Sequence, residues 1–259
     1  MKEKIIDEHG GQLSYAEYGD RQGFPILVQH GLIASIDEYD LFERLVRAKA
    51  RIICIARPGY GESTPRLMNS YAEWAEIVVA LVRNLGLTRF DILGMSSGAP
   101  YGYALGNGFP RQVRNIYIFS GMPALYDEDV LSAWPYGMTK NGKIEDMEKL
   151  AHELFFSKLT TDDLKNQNVR DSMNNKGFGV AQDLRLRGMA WGFCLGDVKA
   201  PVFMRHSKRD DAVPFKTAVR TAELLPNCEM ELLESGPHFS NEALDDFIRD
   251  VIVRHLEAG

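Results

Sequence analysis

The sequence predicts an α/β fold, a mostly parallel central sheet with helices on both faces. Three observations carry that expectation. Short apolar runs alternate with amphipathic helical stretches, the rhythm of repeated strand–helix–strand units. The runs are continuous rather than alternating, as in strands covered on both faces. One of them, Phe90-Asp91-Ile92-Leu93, leads into Gly94-Met95-Ser96-Ser97-Gly98 and then a helix-like stretch from Ala99 to Asn107. Strand, tight turn and helix around a Gly-x-Ser-x-Gly pentapeptide is the setting of a nucleophile elbow, whose strained backbone lifts a serine hydroxyl above the sheet edge. Gly94 and Gly98 suit a chain that doubles back on itself there. The central position picks Ser96 over its neighbour Ser97 as the candidate nucleophile.

The elements follow in order. From about Lys4 to Tyr18 apolar and polar residues alternate around His9-Gly10-Gly11, which reads as an antiparallel hairpin with a glycine turn. Ile26-Leu27-Val28, Ile52-Ile53-Cys54-Ile55, Phe90 to Leu93 and Ile116-Tyr117-Ile118-Phe119 are the next four strands. Between them, Glu38 to Lys49 and Tyr71 to Leu85 carry apolar residues at helix spacing, and Ser70 with Glu73 matches a capping box. The rhythm breaks after Gly121. Asp127 to Trp134, Ile144 to Phe156 and Thr161 to Ser172 read as short helices with no strand between them. It resumes with a strand at Pro201-Val202-Phe203-Met204, a helix near Lys216 to Leu224, a strand at Met230-Glu231-Leu232-Leu233 and a final helix from about Asn241 to Leu256. Residues 122–188 are therefore expected as a helical cap inserted after the sixth strand, over a core made of residues 1–121 and 189–259.

Composition narrows the class. A chain of 259 residues with a formal net charge of −6 lacks the basic excess that phosphate binding needs, so no nucleic-acid partner is expected. The charged N-terminus, Met1 to Glu8, has no apolar signal region, and no run approaches the roughly 18 residues of a membrane span. A cytoplasmic location without membrane attachment is the expectation. Cys54, Cys194 and Cys228 are scattered, which fits structural thiols in a reducing compartment. The histidines lack the spacing of a zinc helix, and no Gly-x-Gly-x-x-Gly opens a strand–helix unit, so neither metal nor cofactor is expected.

Four segments then fall into register: Val28-Gln29-His30-Gly31-Leu32, Ala56-Arg57-Pro58-Gly59-Tyr60-Gly61-Glu62-Ser63, the pentapeptide, and the pair His206 to Pro214 with Gly236-Pro237-His238-Phe239. Together they resemble the α/β-hydrolase superfamily over nearly the whole chain except the cap. The resemblance implies a catalytic triad in the order Ser, Asp, His. Ser96 matches the nucleophile, Asp210 the acid three residues before Val213-Pro214, and His238 the base. Pro237, between Gly236 and His238, departs from the family's Gly-His. Asp211 competes with Asp210, and register to Val213-Pro214 favours Asp210. The backbone N–H groups of Leu32 and Ser97 match the oxyanion hole. His30 and His206 read as structural residues, and Arg57 to Ser63 as a turn whose glycines permit positive φ.

These types suit acyl transfer: an imidazole takes the serine proton, a carboxylate fixes its tautomer, and preorganised donors hold the oxyanion. The expectation is a serine hydrolase acting through an acyl-enzyme on a carboxylic ester or related acyl bond of a small molecule with an apolar acyl or alcohol group. Cap aromatics Trp134, Tyr136, Phe155, Phe156, Trp191 and Phe193 are candidates for lining its pocket or for packing the cap. Aminopeptidase-like, carbon–carbon bond and lactone hydrolysis remain alternatives, as does a non-catalytic ligand binder. The sequence leaves the substrate and the oligomeric state open.

Overall fold

A computed structural model of the protein describes residues 2–6 and 10–257; Asp7, Glu8 and His9 of the expected hairpin turn lie outside them. The strands are β1 (Lys2–Ile6), β2 (Gln12–Gly19), β3 (Pro25–Gln29), β4 (Arg51–Ile55), β5 (Phe90–Met95), β6 (Val113–Phe119), β7 (Val202–Ser207) and β8 (Cys228–Leu233). The described residues form one eight-stranded sheet in the order β1-β2-β4-β3-β5-β6-β7-β8. β2 runs antiparallel to both β1 and β4, and the remaining neighbours are parallel. Each apolar run read from the sequence is a strand, extended by one to three residues at its ends, except that β7 begins at Val202 rather than Pro201.

Side chains alternate across the sheet, and both sets are buried. Leu27, Ile53, Ile92, Ile116, Ile118 and Met204 point to one face, where they meet α2 (Glu73–Asn84) and α3 (Ala99–Gly108). Ile26, Val28, Ile52, Cys54, Leu93 and Phe119 point to the other, where Leu45 of α1 (Glu43–Arg47) and Leu244 and Phe247 of α8 (Asn241–Phe247) cover them. Burial on both sides is why these strands read as solid apolar runs. In α2, Trp74, Ile77, Val78, Leu81 and Val82 form the buried stripe. Its expected Ser70–Glu73 capping box is absent: the Glu73 carboxylate instead accepts the Asn69 N–H at 3.0 Å, one turn before the helix. The free cysteines divide into buried Cys54, half-buried Cys228 and exposed Cys194. No helix among the described residues is long and apolar enough to cross a membrane.

Between β6 and β7 lie α4 (Glu128–Ser132), α5 (Ile144–Ala151) and α6 (Gln167–Arg187). Asp127 caps α4 by accepting the Asp129 and Val130 N–H groups. The sequence reading stopped α6 at Ser172, fifteen residues early. The reason is local. Asn175, Lys176 and Gly177 adopt φ of 53°, 61° and 74°, a left-handed kink after which the helix resumes with Phe178, so the apolar period is lost there. After β7, α7 (Phe215–Glu223) leads into β8.

Candidate active site

The pentapeptide makes the turn its residue types allow. Met95 ends β5 extended, with φ −114° and ψ 127°, and Ser96 then takes φ 49°. That conformation costs about 1–2 kcal/mol for a non-glycine residue, and the Met122 N–H, donating to Ser96 O at 2.9 Å, helps to hold it. The two glycines serve different neighbours. A Cβ at Gly94 would sit 3.1 Å from Ala99 Cα, where the chain doubles back, whereas one at Gly98 would lie 2.0 Å from Gln29 O at the end of β3. Gly98 thus lets the start of the helix rest on the neighbouring strand, a contact that the pentapeptide by itself does not reveal.

His238 approaches from the loop after β8. Its Nε2 is 2.8 Å from Ser96 Oγ and its Nδ1 is 2.8 Å from Asp210 Oδ2. Only one tautomer satisfies both contacts: Nδ1–H donates to the carboxylate and Nε2 accepts the serine proton. Asp210 and Asp211 have separate tasks, for Asp211 Oδ1 accepts the backbone N–H of His238 at 3.0 Å while Asp210 holds the ring. Burial alone would raise the Asp210 carboxyl, but hydrogen bonds from His238 and from the Val213 and Ala212 N–H groups outweigh it and hold it below the usual range. The His206 Nε2–H donates to Val213 O at 2.9 Å, and the same nitrogen lies 3.2 Å from Asp210 Oδ2. Burial keeps that ring below its ordinary pKa, hence neutral. The Ser207 hydroxyl donates to Gly236 O at 2.7 Å, tying the acid-bearing loop to the histidine-bearing one. Pro237 therefore leaves the imidazole in contact with both partners.

A second cluster fixes the loop after β3. Arg57, fully buried, donates from Nη1 to His30 O at 2.6 Å and from Nη2 to Gly31 O at 2.8 Å. The Tyr60 hydroxyl lies 2.9 Å from Leu32 O and 3.0 Å from Asp183 Oδ2, its one proton serving either. Three successive carbonyls are thereby held from behind, and Gly31 lies close enough that a Cβ there would be 3.9 Å from Ser96 Cβ. Asp183, on α6, is the counter-charge: its Oδ2 accepts from Arg57 Nη2 at 2.6 Å and its Oδ1 from the Tyr101 hydroxyl at 2.6 Å. Burial would lower the Arg57 pKa, but the Asp183 carboxylate more than offsets it, and the guanidinium stays charged. Arg57 is thus more than a turn residue. The one signal in the sequence was a charge two residues after a buried strand; Tyr101 and Asp183 carried none.

A cavity of about 1100 Å³ opens above Ser96 and His238. Gly31, Leu32 and Ser97 form its floor, and Leu125, Trp134, Met138, Leu150, Phe155 and Leu184 are among the apolar residues that the segment between β6 and β7 contributes. Trp134, Tyr136 and Phe155 line it as the sequence suggested. The other three aromatics serve packing: Phe156 lies against Gly177, Trp191 packs on Tyr71 and Tyr126, and Phe193 packs on Trp191.

Comparison with known proteins agrees with this architecture. Residues 25–243 match the family model described as the alpha/beta hydrolase fold. The chain is 29% identical over 124 residues to an uncharacterized hydrolase, YcgS, of Bacillus subtilis, spanning 47% of this chain and 43% of that protein. It is 24% identical over 212 residues, 76% of this chain and 73% of the relative, to a 2-hydroxy-6-oxononadienedioate/2-hydroxy-6-oxononatrienedioate hydrolase of Cupriavidus pinatubonensis. Among solved structures, an esterase from Exiguobacterium antarcticum superposes with a TM-score of 0.76 at 21% identity, covering 99% of this chain and 100% of that one.

Proposed function

We propose that this chain, which belongs to the α/β-hydrolase family, is a serine hydrolase that cleaves a carboxylic ester or related acyl bond. The observation that carries the reading is the unbroken relay from Ser96 Oγ through His238 to Asp210, with both contacts at 2.8 Å. In the reaction, Ser96 Oγ attacks the carbonyl carbon while His238 Nε2 takes its proton and the buried Asp210 carboxylate stabilises the imidazolium. The N–H groups of Leu32 and Ser97 receive the oxyanion. Its collapse expels the alcohol, which takes the proton from His238, and leaves an acyl group on Ser96. Water, deprotonated by the same imidazole, then releases the acid. Residues 122–188 act as the cap whose apolar side chains admit the substrate.

A fluorophosphonate probe tests the assignment. The folded protein is expected to carry the adduct on Ser96, located by mass spectrometry, and to hydrolyse short p-nitrophenyl esters. Ser96→Ala is expected to lower kcat by about 10⁴–10⁶ with no loss of thermal stability. An unlabelled Ser96 together with intact esters would show a binder rather than an enzyme. The Cupriavidus relative, matched over most of this chain, favours carbon–carbon bond hydrolysis as the second reading. Turnover of a vinylogous 1,5-diketone acid in preference to every ester would establish that one.

A further inference from the structure

The pocket holds one charge that the relay does not use. Arg187 ends α6 and lines the cavity that contains Ser96 and His238. Its Nη2 donates to Ser97 Oγ at 2.7 Å, and this is its one side-chain hydrogen bond among the described residues. Its Nε is buried without an acceptor. The natural local partner would be Asp183, one helical turn earlier on α6. Both oxygens of Asp183 are already taken, by Arg57, Tyr60 and Tyr101. Glu38 lines the same cavity, but Asn168 donates to it, and burial raises its carboxyl toward the neutral form.

A guanidinium partly withdrawn from water and facing an apolar pocket, with a serine hydroxyl as its sole partner, is under-compensated. It has five N–H donors in a planar fork shaped for a carboxylate. We infer that Arg187 binds a carboxylate of the substrate, so that the acyl compounds cleaved here are monoanionic and carry that group a short distance from the scissile carbonyl. The distance follows from the contact: Arg187 touches the side chain of the residue next to the nucleophile. Charge number follows as well. Apart from His238, no other basic residue lines the cavity among the described residues, so a phosphate dianion would meet a single cation. This inference rests on the hydrolase reading for its meaning but is tested by binding alone.

The probes are monomethyl succinate, glutarate and adipate against the corresponding neutral dimethyl esters. Binding to the Ser96→Ala protein is measured by isothermal titration calorimetry near pH 7.5. A charge-assisted pair predicts that the best half-ester binds about 10- to 100-fold more tightly than its dimethyl ester. Arg187→Met in the same background is expected to erase that preference, and Arg187→Lys, which keeps the charge but not the fork, to retain part of it. Thermal melts establish that the variants fold, and the parent's own discrimination stands without them. Equal affinity for the two ester classes, binding of neither, or a preference that survives in Arg187→Met overturns the inference. Failure of the fluorophosphonate to label Ser96 would instead remove the hydrolase reading and leave this result untouched.

Discussion

The loops at the ends of β5, β7 and β8 and the helices inserted between β6 and β7 face each other across one cavity, built on opposite rules. In the loops the polar groups work in chains: Ser96 to His238, His238 to Asp210, Asp210 to the Val213 and Ala212 amides. The helices offer apolar walls, an under-partnered Arg187 and a left-handed kink. On the proposed reading, groups that must hold one geometry for proton transfer are tied from several sides, whereas a wall that only has to accept a substrate can rely on shape. The loop after β3, which also lines the cavity, is joined to the helices through Arg57, and Asp183 on α6 supplies the counter-charge of the arginine that holds it.

That junction offers the largest effect on stability. Replacing one partner strands the other as a buried, uncompensated charge, which costs about 3–5 kcal/mol. Arg57→Met and Asp183→Asn should each lower stability by an amount in or near that range in urea unfolding, and each should lower kcat, the first because the His30 and Gly31 carbonyls lose their donor and the second because that donor loses its counter-charge. Arg57→Met combined with Asp183→Asn should cost clearly less than the sum of the two single changes. Additive losses below about 1 kcal/mol each would mean that the loop and the helices are independent, and the contrast between them would have no physical joint.

Legibility in the sequence divided along the same line. The sheet was readable because strands buried on both faces leave solid apolar runs, and the elbow because its glycines sit where Gln29 O and Ala99 Cα leave no space for a side chain. Ser96, His238 and Asp210 could be picked out because loops at the ends of strands carry them at recognisable spacing. Asp183 and Arg187 could not. They lie in a helix whose kink at residues 174–177 breaks the apolar period, and their partners are 126 and 90 residues away in the chain. A contact between distant segments leaves no periodic trace. Arg57 stood in plain view beside a strand, yet its task depends on three carbonyls and a helix that only the fold assembles.

A smaller effect confines itself to the loops. His30 is held well below its ordinary pKa by burial and by the Arg57 charge, and His206 is lowered by burial. The unfolded chain takes up protons on these rings as pH falls through about 6.5, while the folded protein does not. The unfolded state therefore binds more protons, and stability falls as pH drops below that value, by up to about 1.4 kcal/mol per pH unit for each ring. Asp210 acts in a lower window: its depressed folded pKa gives stability that is complete above about pH 4 and lost as pH falls through the folded value. Urea unfolding at pH 7.5 and 5.5 should show the histidine loss, and His30→Gln should flatten it. A stability that is level across that range would mean the buried rings take up protons without penalty.

The smallest effect tests the helices alone. Lys176 is exposed and sits at φ 61° in the kink of α6, between Asn175 and Gly177. An L-residue there pays about 1–2 kcal/mol for its Cβ, and glycine does not, although glycine gives back part of that gain through the wider freedom of its unfolded chain. Lys176→Gly should therefore stabilise the protein by roughly 1 kcal/mol, a rise in Tm of about 2–4 °C for a chain of this size. The kink is distant in role from Ser96, His238 and Asp210, so kcat on a short ester should stay within about twofold of the parent. A rise in Tm with a marked fall in kcat would show that the kink must move during turnover, so that a wall fixed only by shape also has to flex. No rise at all would mean the left-handed turn is not strained by its side chain, and the helix breaks there because the flanking segments pack best at that angle.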